Sequence, residues 1–318
     1  MEPMKKTHQQ QNHPALFEIE MGIGSWQWGD KLVWGYGNNY AESEIENAFI
    51  VSMDKNIKMV DTAEIYGNGK SERILGGLIK KTGYQPFIAS KFFPWPWRWT
   101  KKSVIKAFTQ SLERIDQPKM HLYQIHWPSP ISPVETQLDG IAELHKEGLT
   151  DSIGVSNFDK TQMQRAITAL SKHNIPLASN QVEYNLLNRT IEKNGLLQRC
   201  DELGVRVIAY SPIAMGLLSG KYTKETPPPG FRANKYAAQL GNLQPLIKLM
   251  TEIGQDQGSK TVSQIAINWC ICKGTLPIPG AKNYQQAENN AGAKDWYLTS
   301  DQVAALDKAS DVFSKISD

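Results

Sequence analysis

The chain has 318 residues, of which 40% are hydrophobic, so it can bury a sizeable core; α/β barrels commonly reach this length in one domain. Its 35 basic and 32 acidic residues nearly balance, which excludes the basic footprint of a nucleic-acid-binding protein. The three cysteines exclude a disulfide framework and are typical of a reducing compartment.

The first residues are polar and rich in Gln, and they contain no apolar segment of the kind found in a secretory signal. We predict a disordered tail over residues 1–15, in which His8 and His13 are solvated, followed by one domain over residues 16–318. No apolar stretch approaches the roughly 18 residues that a bilayer span requires. We therefore expect a cytoplasmic protein without integral membrane contact.

Short apolar runs alternate with helical patterns along nearly the whole chain. In chain order the runs and the helical residues that follow them are EIEMGIGSW and 41–56, KMVDTAE and 69–81, PFIASKF and 101–115, HLYQIHW and 133–147, DSIGVSNF and 159–173, ASNQVEY and 194–203, RVIAYSPI and a long interruption, and LPIPGAK and 284–292. Strict alternation predicts parallel strands with right-handed crossovers. Eight such units predict a single-domain (β/α)8 TIM barrel with its active site at the C-terminal mouth. An open dinucleotide-binding sheet is disfavoured because GIGSWQWG lacks the Gly-rich spacing.

The interruption after the seventh run covers roughly residues 214–240 and includes TPPPGFRANKY. A loop of this length inside a compact domain is usually functional or mobile. In a barrel it lies on the C-terminal face, so we interpret it as a lid over a ligand, with a disordered insertion as the alternative.

Four residues at or just after strand ends indicate a reaction. Asp61, Lys91 and His126 end the second, third and fourth runs, and Tyr66 follows Asp61 on the same loop. In a barrel they converge on one mouth. A Tyr with a pKa of about 10 is a poor acid near neutrality, and the Lys91 ammonium is expected to lower that pKa. Asp61 then pairs with Lys91, and His126 polarises a carbonyl by a hydrogen bond.

The loops around this mouth are unusually aromatic. Large apolar rings there predict a pocket for an aromatic or apolar aldehyde. The FFPWPWRW segment has a second interpretation, because Trp beside Arg also suits a membrane surface. The predicted substrate-pocket residues are Trp26, Trp28, Trp34, Phe92, Trp95, Trp97 and Trp127.

Over about residues 16–310 the chain resembles the aldo-keto reductase family. The motifs that carry the resemblance are GIGSWQWG, VDTAEIYG, ASKF, YQIHWP, IGVSNF, SNQVEYN, AYSPIAMGLLSGKY and PIPGAKN. SPIAMGLLSGKY and PIPGAKN are most similar to the branch with bacterial and plastid general reductases and potassium-channel β subunits. The resemblance implies that Tyr66 is the general acid, supported by Lys91, Asp61 and His126. It also implies NADPH/NADP+ as cofactor, held without a dinucleotide-binding sheet, and no metal.

The resemblance places Ser156, Asn157 and Gln181 at the nicotinamide carboxamide and Tyr210 against the nicotinamide ring. Lys282, with Arg232, is expected at a 2′-phosphate, which favours NADPH over NADH. The family often has an acidic residue where this chain has Asn289. The full set of implied cofactor-binding residues is Trp26, Asp61, Ser156, Asn157, Gln181, Tyr210, Ser211, Pro212, Ile213, Ala214, Gly216, Ser219, Lys221, Arg232, Gly280, Lys282, Gln286, Asn289 and Asn290.

The expected activity is NADPH-dependent reduction of aldehydes or ketones. Three alternatives stay open. Two are enzymatic: the reverse reaction, as an NADP-dependent alcohol or sugar dehydrogenase, and the reduction of pyridoxal. The third is a nucleotide-sensing regulatory subunit with slow turnover. The expected partner is a small-molecule carbonyl substrate, and the expected assembly is a monomer or a weak homo-oligomer.

Overall fold

A parallel sheet of eight strands, hydrogen-bonded in chain order, forms the centre of the computed structural model, which describes residues 13–313. The strands are β1 (Gly22–Gly24), β2 (Met59–Asp61), β3 (Phe87–Phe92), β4 (Met120–Ile125), β5 (Thr150–Ser156), β6 (Ser179–Glu183), β7 (Arg206–Tyr210) and β8 (Leu276–Ile278). Helices alternate with them, so the predicted single-domain (β/α)8 barrel is confirmed.

The sheet is nearly closed, because β1 and β8 meet at one parallel bridge between Gly24 and Gly280. The Gly24 N–H donates to the carbonyl of Pro279 at 3.1 Å. A Cβ at Gly24 would lie 3.0 Å from the carbonyl oxygen of Ile278, so the glycine permits this close approach. Closure brings the carboxyl ends of all eight strands to one mouth.

The helices surround the strands and bury their apolar faces against them. They are α1 (Pro14–Phe17), α2 (Glu42–Asp54), α3 (Lys70–Thr82), α4 (Lys101–Ile115), α5 (Val134–Lys146), α6 (Lys160–Ser171), α7 (Thr190–Lys193), α8 (Leu196–Glu202), α9 (Phe231–Lys235), α10 (Ala237–Asp256), α11 (Val262–Cys272), α12 (Tyr284–Ala291) and α13 (Ser300–Ser310).

Three of these helices begin at capping boxes that are readable in the sequence. Asp159, Thr261 and Thr299 each accept the backbone N–H three residues later, and a Gln at that position returns a bond to the cap. Each box satisfies N–H groups that have no partner within the helix, and losing such a cap typically costs about 1 kcal/mol.

Two predicted segments differ from the structure. The helix expected at 194–203 is α8, which begins later, at Leu196, because Gly195 adopts a left-handed φ of 75°, and a separate short helix, α7, precedes it. The interruption at 214–240 is not structureless: it holds a 3-10 helix at Ala214–Ser219 and α9, and α10 begins before it ends. A lid function for this segment stays a prediction.

The predicted tail is too long at its C-terminal side. His13 is buried, with Nδ1 3.1 Å from the Ser152 hydroxyl, so it is not solvated. Leu16 in α1 packs with Met59 and Leu276, near the starts of their strands. Contact with this apolar cluster explains why the domain begins earlier than expected. The rest of the predicted tail, residues 1–12 with His8, lies outside the described residues.

Within residues 13–313, no helix has both the length and the apolar character needed to cross a bilayer.

Two adjacent glycines in α3 test the packing of α3 on α4. A Cβ at Gly76 would lie 2.4 Å from the backbone oxygen of Ile115, whereas a Cβ at the exposed Gly77 meets nothing within 4 Å. We expect Gly76→Ala to lower the free energy of unfolding by about 1–3 kcal/mol. Gly77→Ala should raise it by about 0.5–1 kcal/mol through helix propensity. Urea denaturation of both variants checks this, and equal effects at the two positions would contradict the described helix packing.

Candidate active site

The barrel brings the four predicted catalytic residues together. Asp61 is the last residue of β2, Lys91 lies one residue before the end of β3, and His126 directly follows β4. Tyr66 lies in the turn that leads into α3, and its ring centroid is 5.7 Å from that of His126. Their side chains share the mouth because parallel strands end on one face of a barrel.

A buried ion pair lies beneath the Tyr66 hydroxyl. Lys91 Nζ is 2.6 Å from Asp61 Oδ2 and 2.7 Å from the carbonyl oxygen of Thr62, and both side chains are almost fully buried. The third contact of Nζ is Tyr66 Oη at 3.4 Å. Gln181 Nε2 donates to Asp61 Oδ1 at 2.7 Å, so both carboxylate oxygens are bonded. This pairing offsets the cost of burying two charges.

The pKa of Tyr66 moves in the direction opposite to the one predicted. Burial, and after it the Asp61 carboxylate, raise this pKa well above its ordinary value. Burial lowers the pKa of Lys91, although Asp61 counteracts the effect. Lys91 does not depress the Tyr66 pKa because Asp61 balances its charge and desolvation penalises phenolate. Tyr66 is therefore protonated and can act as a proton donor.

His126 is held neutral at the edge of the site. Burial, and then the charge of Lys91, lower the pKa of His126 well below its ordinary value. Its ring packs edge-on against Phe93, with centroids 5.7 Å apart. Nδ1 is buried and has no hydrogen-bond partner among the described residues. A neutral imidazole with one N–H can donate a hydrogen bond without changing the charge of the site.

A cleft of about 700 Å³ begins at Tyr66 and His126 and extends along the mouth towards α12. The residues assigned to a nicotinamide form one network in its wall. Tyr210 donates its hydroxyl to Asn157 Oδ1 at 3.0 Å, and Asn157 Nδ2 donates to the carbonyl of His126 at 3.2 Å. Ser156 donates its hydroxyl to the carbonyl of Gln181 at 2.9 Å. These bonds fix the polar groups beside the proton donor.

The far end of the cleft is strongly cationic. Four basic side chains line it: Lys221, Arg232, Lys235 and Lys282. Within residues 13–313 none of the four forms an ion pair. The backbone there is unusual, since Ser211, Met215 and Gly216 have φ values of 52°, 52° and 99°. Unpaired cations along one groove are the chemistry that a polyphosphate requires.

Almost all of the predicted cofactor-binding residues line this cleft. Ala214 does not, because its small side chain is buried in the core behind the loop. Asn289, at the position where the family often has an acid, accepts a bond from the Thr261 hydroxyl at 2.9 Å. Those that line the cleft are Trp26, Asp61, Ser156, Asn157, Gln181, Tyr210, Ser211, Pro212, Ile213, Gly216, Ser219, Lys221, Arg232, Gly280, Lys282, Gln286, Asn289 and Asn290.

The predicted aromatic pocket is smaller than expected. Trp26, Trp34 and Trp127 line the cleft. Trp28 belongs to the core, where its indole N–H donates to the carbonyl of Ala281 at 3.0 Å. Phe92 is also core, because side chains alternate along β3 and Lys91 takes the inward position.

Trp95 and Trp97 lie outside the cleft. Their rings stack on each other with centroids 5.3 Å apart, and Trp97 is 69% exposed. The inward aromatic residue of this segment is Phe93, which packs against His126.

A partly buried ion pair between Glu64 and Arg98 holds this aromatic loop in place. Glu64 accepts Arg98 Nη1 at 2.7 Å and the N–H of Phe93 at 2.7 Å. Glu64 and Tyr66 belong to the same turn, so the pair connects the loop after β3 to the loop that carries the proton donor.

Sequence reasoning missed several residues of the cleft. Glu183 ends β6 beside Tyr210, so the rule that strand ends carry function could have found it. Gly24 and Ile278 likewise end β1 and β8. The others come from loops, short helices and helix starts, where no periodicity marks an inward side chain. The missed residues are Gly24, Ser25, Gln27, Glu183, Met215, Tyr222, Phe231, Lys235, Thr261, Ser263, Ile278 and Gln285.

Known proteins share both the sequence and the architecture. Chloroplastic pyridoxal reductase from Arabidopsis thaliana is 38% identical over 302 residues, covering 91% of this chain and 82% of that protein. The glycerol dehydrogenase structure from Gluconobacter oxydans has a TM-score of 0.80 at 25% identity, covering 91% of this chain and 90% of that one. An aldo/keto reductase from Klebsiella pneumoniae in complex with NADP and acetate has a TM-score of 0.72 at 27% identity, with the same coverage.

The model of the Aldo/keto reductase family matches residues 20–311, which include every residue of the cleft. With relatives of this identity and coverage, the match shows that the chain belongs to the aldo/keto reductase family.

Proposed function

We propose that the chain is an NADP-dependent oxidoreductase that reduces aldehydes or ketones to alcohols, with Tyr66 as the proton donor. One observation carries the proposal: a single cleft joins a cationic end, whose cations have no ion-pair partner within residues 13–313, to a protonated tyrosine above a buried ion pair. The first end suits a nucleotide phosphate, and the second suits a carbonyl that gains a proton. Family membership and the NADP bound to the Klebsiella pneumoniae neighbour support the choice of cofactor.

When bound, NADPH would supply the hydride that the carbonyl carbon takes up. Tyr66 Oη gives its proton to the carbonyl oxygen, which completes the alcohol and leaves a phenolate. The Lys91 ammonium, 3.4 Å away, stabilises that phenolate, while Asp61 and Thr62 keep Nζ in place. Neutral His126 donates its N–H to the same oxygen and stabilises charge as it develops.

Residues along the cleft hold the two ends of the nucleotide. Ser156, Asn157 and Gln181 bind the carboxamide, and the Tyr210 ring supports the nicotinamide. Backbone groups of the loop from Ser211 to Lys221 face the pyrophosphate, with Gly216 in a conformation that favours glycine. Arg232 and Lys282 bind the 2′-phosphate, and Gln286, Asn289 and Asn290 bind the adenosine.

The protonation state of the site favours the direction of reduction. Tyr66 must begin protonated to act as an acid and deprotonated to act as a base. Because burial and Asp61 raise its pKa, the acid form dominates near neutrality. Alcohol oxidation with Tyr66 as the base is therefore expected to have a higher pH optimum than reduction, and rates measured in both directions distinguish the dehydrogenase alternative. A regulatory subunit with slow turnover stays an alternative. Steady-state kinetics distinguishes it from an enzyme, because an enzyme completes many reaction cycles per active site.

Pyridoxal is a specific candidate substrate. The chloroplastic relative that is 38% identical is named pyridoxal reductase. Pyridoxal is an aromatic aldehyde, and the substrate end of this cleft presents the rings of Trp26 and Trp127. Cytoplasmic localisation and a monomeric or weakly oligomeric state stay predictions from the sequence.

Replacing the proton donor tests the mechanism. We expect Tyr66→Phe to lower kcat for aldehyde reduction by about 10²–10⁴-fold while NADPH affinity, measured by fluorescence titration, stays near that of the unmodified protein. Tyr84→Phe is the matched control, because the Tyr84 hydroxyl contacts Asp54 outside the cleft. Near-normal turnover in Tyr66→Phe would contradict the assigned acid, and absence of NADPH binding in the unmodified protein would contradict the cofactor.

The neutrality of His126 predicts a pH dependence of stability. Its folded-state pKa lies below the unfolded value of about 6.5, so on acidification the unfolded chain takes up the proton first. This contribution is present above about pH 6.5 and is lost as the pH falls towards the folded-state pKa. The free energy of unfolding should therefore fall between about pH 7.5 and about pH 5.5, because over this range the unfolded chain binds a proton at this position and the folded protein binds less.

His126→Gln removes this titration, so its free energy of unfolding should fall less over that pH range than that of the unmodified protein. The other buried histidines are present in both proteins, and their effects cancel in the comparison. Urea titrations at the two pH values measure the difference, and equal losses would show that His126 is not held neutral in the folded state.

A further inference from the structure

Trp34 occupies a position that the prediction of a substrate pocket does not explain. It lies on the loop between β1 and α2, and its ring faces two cations from other segments of the mouth. The Arg232 guanidinium carbon is 5.6 Å from the ring centroid, and Lys282 Nζ is 5.4 Å from it. Both distances are within the range of cation–π attraction. Trp34 therefore bridges α9 and the loop after β8.

Aromatic rings take the place that carboxylates usually have around these cations. Neither Arg232 nor Lys282 forms an ion pair within residues 13–313. Lys282 also lies 4.9 Å from the Tyr40 centroid, so two rings flank its ammonium. A ring orients a cation without neutralising its charge, which leaves the charge available to an anion.

The loop that presents Trp34 is itself well fixed. Asp30 Oδ1 accepts the N–H of Val33 at 2.7 Å, and Asp30 Oδ2 accepts the Trp26 indole N–H at 3.1 Å. Trp26 meets Trp34 edge to face, with centroids 5.6 Å apart. The Asp30 carboxylate thus fixes the Trp26 indole directly and fixes the backbone next to Trp34.

The indole of Trp34 carries an unused donor. Its Nε1 is buried and has no hydrogen-bond partner among the described residues. A buried N–H without an acceptor is unfavourable, so packing and the two cations, rather than a hydrogen bond of the indole, hold this ring among the described residues.

We propose that Trp34 is a nucleotide-binding residue: its ring aligns Arg232 and Lys282 across the cleft so that both engage one phosphate. The inference rests on the proposed function, since it assigns the 2′-phosphate of NADPH to this pair. The proposal assigns Trp34 to the nucleotide end of the cleft instead of the substrate end. Selection of NADPH over NADH, whose ribose lacks the 2′-phosphate, then depends on the Trp34 ring as well as on the two cations.

Nucleotide fragments without a nicotinamide test the proposal independently of any redox step. Isothermal titration calorimetry with adenosine 2′,5′-bisphosphate and with 5′-AMP measures the contribution of the 2′-phosphate. We expect Trp34→Ala to weaken the bisphosphate about tenfold and 5′-AMP less than about twofold. Trp34→Phe retains a ring that attracts cations less strongly than an indole, so its affinity should lie between those of Trp34→Ala and the unmodified protein. Trp99→Ala, which removes an exposed indole outside the cleft, is the control.

Equal weakening of both fragments in Trp34→Ala, or unchanged affinities, would overturn the proposal. So would a Trp34→Phe variant that binds the bisphosphate no better than Trp34→Ala. These results are distinct from failure of the proposed function, which would appear as absence of bisphosphate and NADPH binding in the unmodified protein.

Discussion

The buried ion pair between Asp61 and Lys91 is the interaction on which the active site depends. Two charges removed from water persist only because each is bonded on several sides, by the carbonyl of Thr62 and the amide of Gln181 as well as by each other. Burial, and after it the Asp61 carboxylate, raise the pKa of Tyr66, so the phenol keeps its proton. The pair also places an ammonium 3.4 Å from the phenol oxygen, where it can stabilise the charge left after the proton departs. The same geometry holds His126 neutral, because Lys91 and burial both disfavour imidazolium.

The two ends of the cleft differ in their chemistry. At the catalytic end the charges are paired and buried, and the walls are aromatic. At the other end four cations have no ion-pair partner within residues 13–313, and rings rather than carboxylates orient two of them. Barrel closure at Gly24 and Gly280 brings the first and last strands together and so joins these ends. A nucleotide that spans the groove would carry its phosphates at one end and its reactive ring at the other.

Strand ends were the most predictable part of this molecule. Alternating apolar runs and helices predict the barrel, and position at a carboxyl end predicts that Asp61, Lys91 and His126 meet. Aromatic residues were predicted poorly, because composition does not say which way a ring points. Alternation along β3 sends Phe92 into the core and Phe93 towards His126, and a stacked pair removes Trp95 and Trp97 from the cleft. The direction of the Tyr66 pKa shift also needed structure, since it depends first on the burial of the phenol and then on the nearby Asp61 carboxylate.

The central claim is that Lys91 acts on the reaction through Tyr66 and not by itself. A double-mutant cycle of Tyr66→Phe and Lys91→Met tests it most directly, with single-turnover hydride transfer measured at saturating NADPH and at about pH 8, where His126 is neutral with or without the Lys91 charge. If Lys91 serves only to stabilise the Tyr66 phenolate, the double variant should be within about threefold of Tyr66→Phe alone, because the second substitution removes a function already lost. Losses that multiply in the double variant would show that Lys91 contributes independently, and would contradict this account of the site.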